Sequence, residues 1–231
     1  MKRLGVIGGI GPESTVEYYR LLIDAYGGWK QDGSYPSIII NSIDLKRMVD
    51  WFTADALSEV VEYLTVELQR LARAGADLGL LAANTPHVVF EEVSARSPIP
   101  LLSIVEAACA EAKARGLKRL GLFGTRFTMS GRFYADVFSR EGLALVVPDE
   151  GEQAFIHESY MNELLKGVFL PETRERLLAI ASRMREREGI EGLILGGTEL
   201  PLILRGETAA GVPLLDTTRI HVNAAVAQLL S

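Results

Sequence analysis

The stretch "LGVIGGIGPESTVEYY", residues 4–19, returns in altered form as "LGLFGTRFTMSGRFYA", residues 120–135. Laying Leu4 over Leu120 also pairs Gly5 with Gly121, Gly8 with Gly124, Ser14 with Ser130 and Tyr18 with Tyr134. Each copy opens with an apolar run too short for a helix, passes through a turn of small residues, and ends in a pattern of helical period. That is a strand, a turn and a helix. A second pair echoes further on: "GLLAANT" (79–85) and "GLILGGTE" (192–199) each close a hydrophobic strand with small residues and then polar ones. The duplication predicts an α/β chain of two pseudosymmetric Rossmann-like lobes, each built on a parallel sheet. One spans residues 1–100 and the other 101–211, with "SPIPLL" (97–102) as the crossover and a C-terminal helix within 212–231 packing back on the first lobe.

Working outward, strands are expected at Leu4–Gly8, Ser37–Asn41, Leu78–Ala83, Leu120–Gly124, Leu143–Val147 and Gly192–Leu195. Helices are expected at Ser14–Ala25, Ala54–Ala74, Ile104–Arg115, Arg132–Glu141, Pro171–Glu188 and Thr217–Leu230. Within 54–74, Leu57, Val60, Val61, Leu64, Leu68 and Leu71 fall on one helical face. The chain has 231 residues, 48% of them hydrophobic, so it can bury a core without covalent staples. Its single cysteine, Cys109, excludes an intrachain disulfide, and the scattered histidines, His87, His157 and His221, show no metal-ligand spacing; no metal is expected. The net charge of −6 argues against nucleic acid. The mixed-sign "RMREREG" (183–189) reads as a solvated helix end. No apolar run is long enough for a membrane span, and the N-terminus begins directly with a strand, so the cytoplasm is the expected compartment.

Ligands of α/β folds gather at the carboxyl ends of the strands, where four turns stand out. "GGIGPES" (8–14) offers positive-φ glycines, Ser14 as a helix cap, and backbone N–H groups around Gly9 that can hold a carboxylate or phosphate. It lacks the GxGxxG spacing of a dinucleotide site. "ANTPH" (83–87) supplies the Asn84 amide and the Thr85 hydroxyl as substrate contacts; His87 is either an acid–base group or a packed residue. "GTRFTMSG" (124–131) supplies Thr125, Thr128 and Ser130, for an anion or for capping. "GGTELP" (196–201) supplies Thr198 and Glu199, the latter a base or a first-turn carboxylate. "NSIDLKR" (41–47) adds Asp44 and Lys46, which either meets a substrate carboxylate or sits on the surface. Together the turns suit a small molecule carrying carboxylates.

With "IGGIGPEST", "NTPH", "LFGTRFTM", "GGTELPLIL" and "LLDTTRIHV" in this order, the sequence resembles the aspartate/glutamate racemase family over nearly its whole length. The resemblance implies an amino acid or dicarboxylate bound between two lobes, a homodimer, and chemistry without pyridoxal phosphate or another cofactor. It also implies two-base racemisation: a thiolate removes the α-proton from one face and a thiol returns one to the other. The family motifs read Cys-Asn-Thr and Cys-Thr-Glu. Here the cysteine positions hold Ala83 and Gly197. Cys109, inside "VEAACAEAKARG", lies away from any strand end and reads as a small buried residue. Two readings follow. One is an isomerase with substitute bases, Glu199 and His87 first, Asp44 and Glu13 behind them. The alternative is a non-catalytic binding protein that kept the pocket for an acidic amino acid and lost the chemistry.

Overall fold

A computed structural model describes residues 2–231. The chain divides into two compact units: residues up to Ile104 together with His221–Ser231, and Val105–Ile220.

In the first unit, β1 (Leu4–Gly8) leads into α1 (Pro12–Lys30). β2 (Ile38–Ser42), α2 (Leu45–Thr53), α3 (Leu57–Arg73) and β3 (Leu78–Leu81) follow. A 3-10 turn at Thr85–Val89 then passes into α4 (Phe90–Arg96) and β4 (Leu101–Leu102). The sheet order is β2-β1-β3-β4, and every pairing is parallel. The strands of such a sheet are covered on both faces, which explains why β1 and β3 are apolar throughout and wholly buried. Leu4, Val6, Leu78 and Leu80 pack with Tyr18, Leu22 and Tyr26 of α1, and with Val222, Ala225 and Val226 near the chain end.

α5 (Ile104–Ala114) leads into the second unit. There β5 (Arg119–Gly124), α6 (Arg126–Ser130), α7 (Arg132–Arg140), β6 (Ala144–Val146), α8 (Glu150–Asn162) and α9 (Pro171–Glu188) precede β7 (Gly192–Gly196). α10 (Leu200–Ile203), β8 (Thr208–Ala209) and β9 (Val212–Asp216) follow, and α11 (Thr217–Leu230) begins in this unit and belongs to the first from His221 on. The sheet order is β6-β5-β7-β9-β8, parallel except for the β8–β9 edge. Its first four strands repeat the 2-1-3-4 order of the first sheet, so the sequence echo between 4–19 and 120–135 marks equivalent strands, β1 and β5.

The structure departs from the sequence reading at several elements. The helix expected at Ala54–Ala74 is α3, which starts at Leu57; ahead of it the structure adds α2, capped by Asp44, whose Oδ1 accepts from the Lys46 N–H at 2.9 Å. α1 starts earlier than expected, at Pro12, so Ser14 is inside the helix rather than its cap; its hydroxyl donates to the Ala82 carbonyl at 3.2 Å. α8 was not anticipated, because Phe155, Ile156, Tyr160 and Met161 make no continuous helical stripe. Its start is nonetheless well encoded. The Asp149 side chain accepts from the Glu152 N–H at 2.9 Å, while the Glu152 carboxylate accepts from the Asp149 N–H at 3.2 Å, a reciprocal capping box. Asp149→Ala should cost about 1 kcal/mol, read as a lower midpoint in thermal unfolding of the second unit.

Candidate functional site

In the first unit, Gly9 has φ +79°, and a Cβ there would lie 2.3 Å from the Ile43 carbonyl oxygen. Its N–H donates to Thr15 Oγ1 at 2.8 Å. Gly9 therefore serves close packing of the turn, and its amide is not offered to an anion as expected. Glu13 stands exposed in the first turn of α1, where the helix dipole favours a carboxylate. Lys46 lies on the surface, the second of its two expected placements. Its ammonium lies 2.5 Å from Asp50 Oδ2, one turn along α2, with 79% of its side chain exposed; this is a surface pair within a helix.

Beyond β3, Ala83 and Asn84 are buried, and Thr85 is half-buried at the start of the 3-10 turn. His87 is buried and fully engaged. Its Nδ1 lies 3.0 Å from the Ala83 carbonyl, and its Nε2 accepts from the Ile104 N–H at 3.2 Å. These partners fix the neutral tautomer with the proton on Nδ1. The ring stacks on Phe90. Burial, with the neighbouring His221 adding to it, pushes its pKa down to about 3. Both ring nitrogens are tied to the backbone, which favours the packed reading of His87 over the acid–base one. His221 is its counterpart on α11: Tyr18 Oη lies 2.9 Å from Nδ1, Nε2 lies 3.1 Å from the Leu102 carbonyl, and burial lowers the pKa to about 4.

In the second unit, Thr125 caps α6, accepting from the Thr128 N–H at 3.3 Å, and its hydroxyl lies 3.2 Å from the Thr128 hydroxyl. Thr128 is fully buried, with its side chain where a Cβ on Gly124 or Gly196 would fall. It packs the two strand ends together and does not present an exposed hydroxyl.

The last turn differs. Glu199 is 1% exposed just after β7. Its Oε2 accepts from the Thr198 hydroxyl at 3.0 Å and from the Tyr160 phenol. Tyr160 comes from α8 and is buried. Burial, and next the negative charge of Glu199, push its pKa well above the usual tyrosine range, so the phenol keeps its proton and acts as donor. A Cβ added at Gly197 would lie 2.4 Å from Tyr160 Cε2 and 3.1 Å from its oxygen. The ring thus occupies the space of the side chain that position 197 lacks. Sequence reasoning missed Tyr160; the capping box ahead of α8 was the signal that could have placed a helix there.

Among the described residues no group of histidine, cysteine and carboxylate side chains is arranged to hold a metal ion, and no helix is long and apolar enough to cross a membrane.

Comparison with known proteins gives a consistent result. The family model described as Asp/Glu/Hydantoin racemase matches residues 7–225. The broad specificity amino-acid racemase RacX of Bacillus subtilis is 24% identical, covering 99% of this chain and 98% of the relative. The crystal structure of an aspartate racemase homologue from Pyrococcus horikoshii superposes with a TM-score of 0.86 at 34% identity, over 100% of both chains. The glutamate racemase from Francisella tularensis, at 16% identity, shares the fold, with a TM-score of 0.69 over 99% of this chain and 81% of that one.

Proposed function

The chain belongs to the Asp/Glu/Hydantoin racemase family, and from that premise we propose that it binds a small amino acid or dicarboxylate and moves its α-proton with Glu199 instead of a thiolate. The observation that carries this reading is a carboxylate only 1% exposed, two residues beyond Gly197, where the family resemblance puts a cysteine. A buried carboxylate is a competent base when its surroundings favour the proton at the moment of transfer. In the proposed step the substrate Cα–H bond breaks, the electron pair moves into the substrate carboxylate as an enediolate, and the proton goes to Glu199. Return of a proton from Glu199 restores the Cα–H bond. Asn84, Thr85 and Thr198 remain the proposed substrate contacts. The family resemblance also supports a homodimer working without a cofactor.

In the first unit the Ala83 methyl cannot carry a proton and both His87 nitrogens are committed. The chemistry is therefore proposed to be one-sided: exchange of the α-proton with retention of configuration. The test is incubation of L- and D-aspartate and glutamate with the protein in D2O, following the α-proton by NMR. Wash-out should occur without accumulation of the mirror-image acid and should fall about 100-fold or more in Glu199→Gln. Equal rates in wild type and variant would remove Glu199 from the mechanism. A second reading, binding without turnover, is favoured by Tyr160 filling the side-chain space at 197. It predicts calorimetric binding of these acids with no exchange.

A further inference from the structure

We propose that Tyr160 is a positioning residue of this site: its ring stands in the volume a cysteine side chain at 197 would need, and its phenol holds the Glu199 carboxylate in one orientation. The proposal deepens the reading of Glu199 as base and rests on it. Three observations converge. The phenol donates to Glu199 Oε2, the same oxygen that accepts from Thr198 at 3.0 Å. The would-be Cβ of Gly197 meets the ring at 2.4 Å, 3.0 Å and 3.1 Å, at Cε2, Cζ and the oxygen. The ring is itself a member of the unit's buried core, together with Phe123, Met129, Ile156 and Leu200.

Side chains this tightly held suit a base, because a carboxylate already aimed needs no reorganisation as the proton moves. A cysteine at 197 would place its own base at the strand end. A glycine there leaves room for an aromatic ring to reach across from α8 and aim a carboxylate from the next turn. The loss of one group and the arrival of the other are then two halves of a single substitution.

Tyr160→Phe keeps the ring and removes only the hydroxyl. Exchange in D2O is expected to fall about tenfold or more through the maximal rate, with the substrate concentration for half-maximal rate changed less than about threefold. The 13Cδ resonance of Glu199, identified by its disappearance in Glu199→Gln, should shift in Tyr160→Phe. If exchange and the carboxylate resonance both stay as in wild type while Glu199→Gln abolishes exchange, Tyr160 is packing alone and the proposal falls. If wild type shows no exchange at all, the reading of Glu199 as base falls. The positioning role is then judged by the same resonance together with calorimetric affinity for aspartate and glutamate. A moved resonance with binding weakened about fivefold or more in Tyr160→Phe supports it; an unmoved resonance or unchanged binding overturns it.

Discussion

Between pH 7 and pH 5 the first unit should lose about 4 kcal/mol of stability, nearly all of it through two histidines. His87 and His221 are buried and neutral, with pKa values lowered from 6.5 to about 3 and about 4. The direction follows from linkage. Below pH 6.5 the unfolded chain takes up protons that the folded rings refuse, so stability is complete above that value. It is lost as the pH falls towards the folded pKa values. Each unit of pH across the window costs about 1.4 kcal/mol per ring. Carboxylates with lowered pKa values, such as Asp149 and Glu191, act below this window. His157, also lowered, belongs to the second unit. Urea unfolding at pH 7, 6 and 5 measures the slope. His221→Asn and His87→Asn should each flatten it while lowering the value at pH 7, because the backbone and Tyr18 partners lose their ring. A wild-type curve level from pH 7 to pH 5 would contradict the burial and tautomers described above.

The second large effect is at position 197. Gly197→Ala should destabilise by about 2–3 kcal/mol, because the added methyl falls 2.4 Å from a buried aromatic ring. Gly197→Cys should do at least as much harm, and neither it nor Ala83→Cys should bring back two-thiol chemistry. Tyr160→Ala alone should cost about 3 kcal/mol or more through the cavity it opens. Combined with Gly197→Cys the losses should not add; a coupling of about 1–3 kcal/mol in favour of the pair is expected, measured as a double-mutant cycle from denaturant unfolding. Strict additivity would mean that the two side chains do not share the space.

Much of the architecture could be read from residue patterns. The echo between Leu4 and Leu120 locates β1 and β5 because buried parallel strands have only one way to look: short, apolar and followed by small residues. The turns failed where the decisive partner is remote or where a local contact was passed over. Nothing near His87 announces that the Ile104 N–H, 17 positions on, will cap its ring. Tyr160 and Glu199 are 39 positions apart, on a helix and a turn that meet only after folding. Lys46 and Asp50 were legible, since the i,i+4 spacing in "LKRMVD" pairs them on one face of a helix once α2 is recognised. The two threonines in "GTRFT" were ambiguous in principle, because a hydroxyl that caps a helix and one that meets an anion leave the same trace in a sequence.

Cys109 is 2% exposed, sits on α5, and has its thiol pKa raised by burial. The only sulfhydryl in the chain is thus both shut away and poorly nucleophilic. A site that works through thiolates is silenced by peroxide, alkylating agents or soft metal ions. The site proposed for this chain, a phenol, a threonine hydroxyl and a carboxylate, would offer these reagents no thiolate to attack.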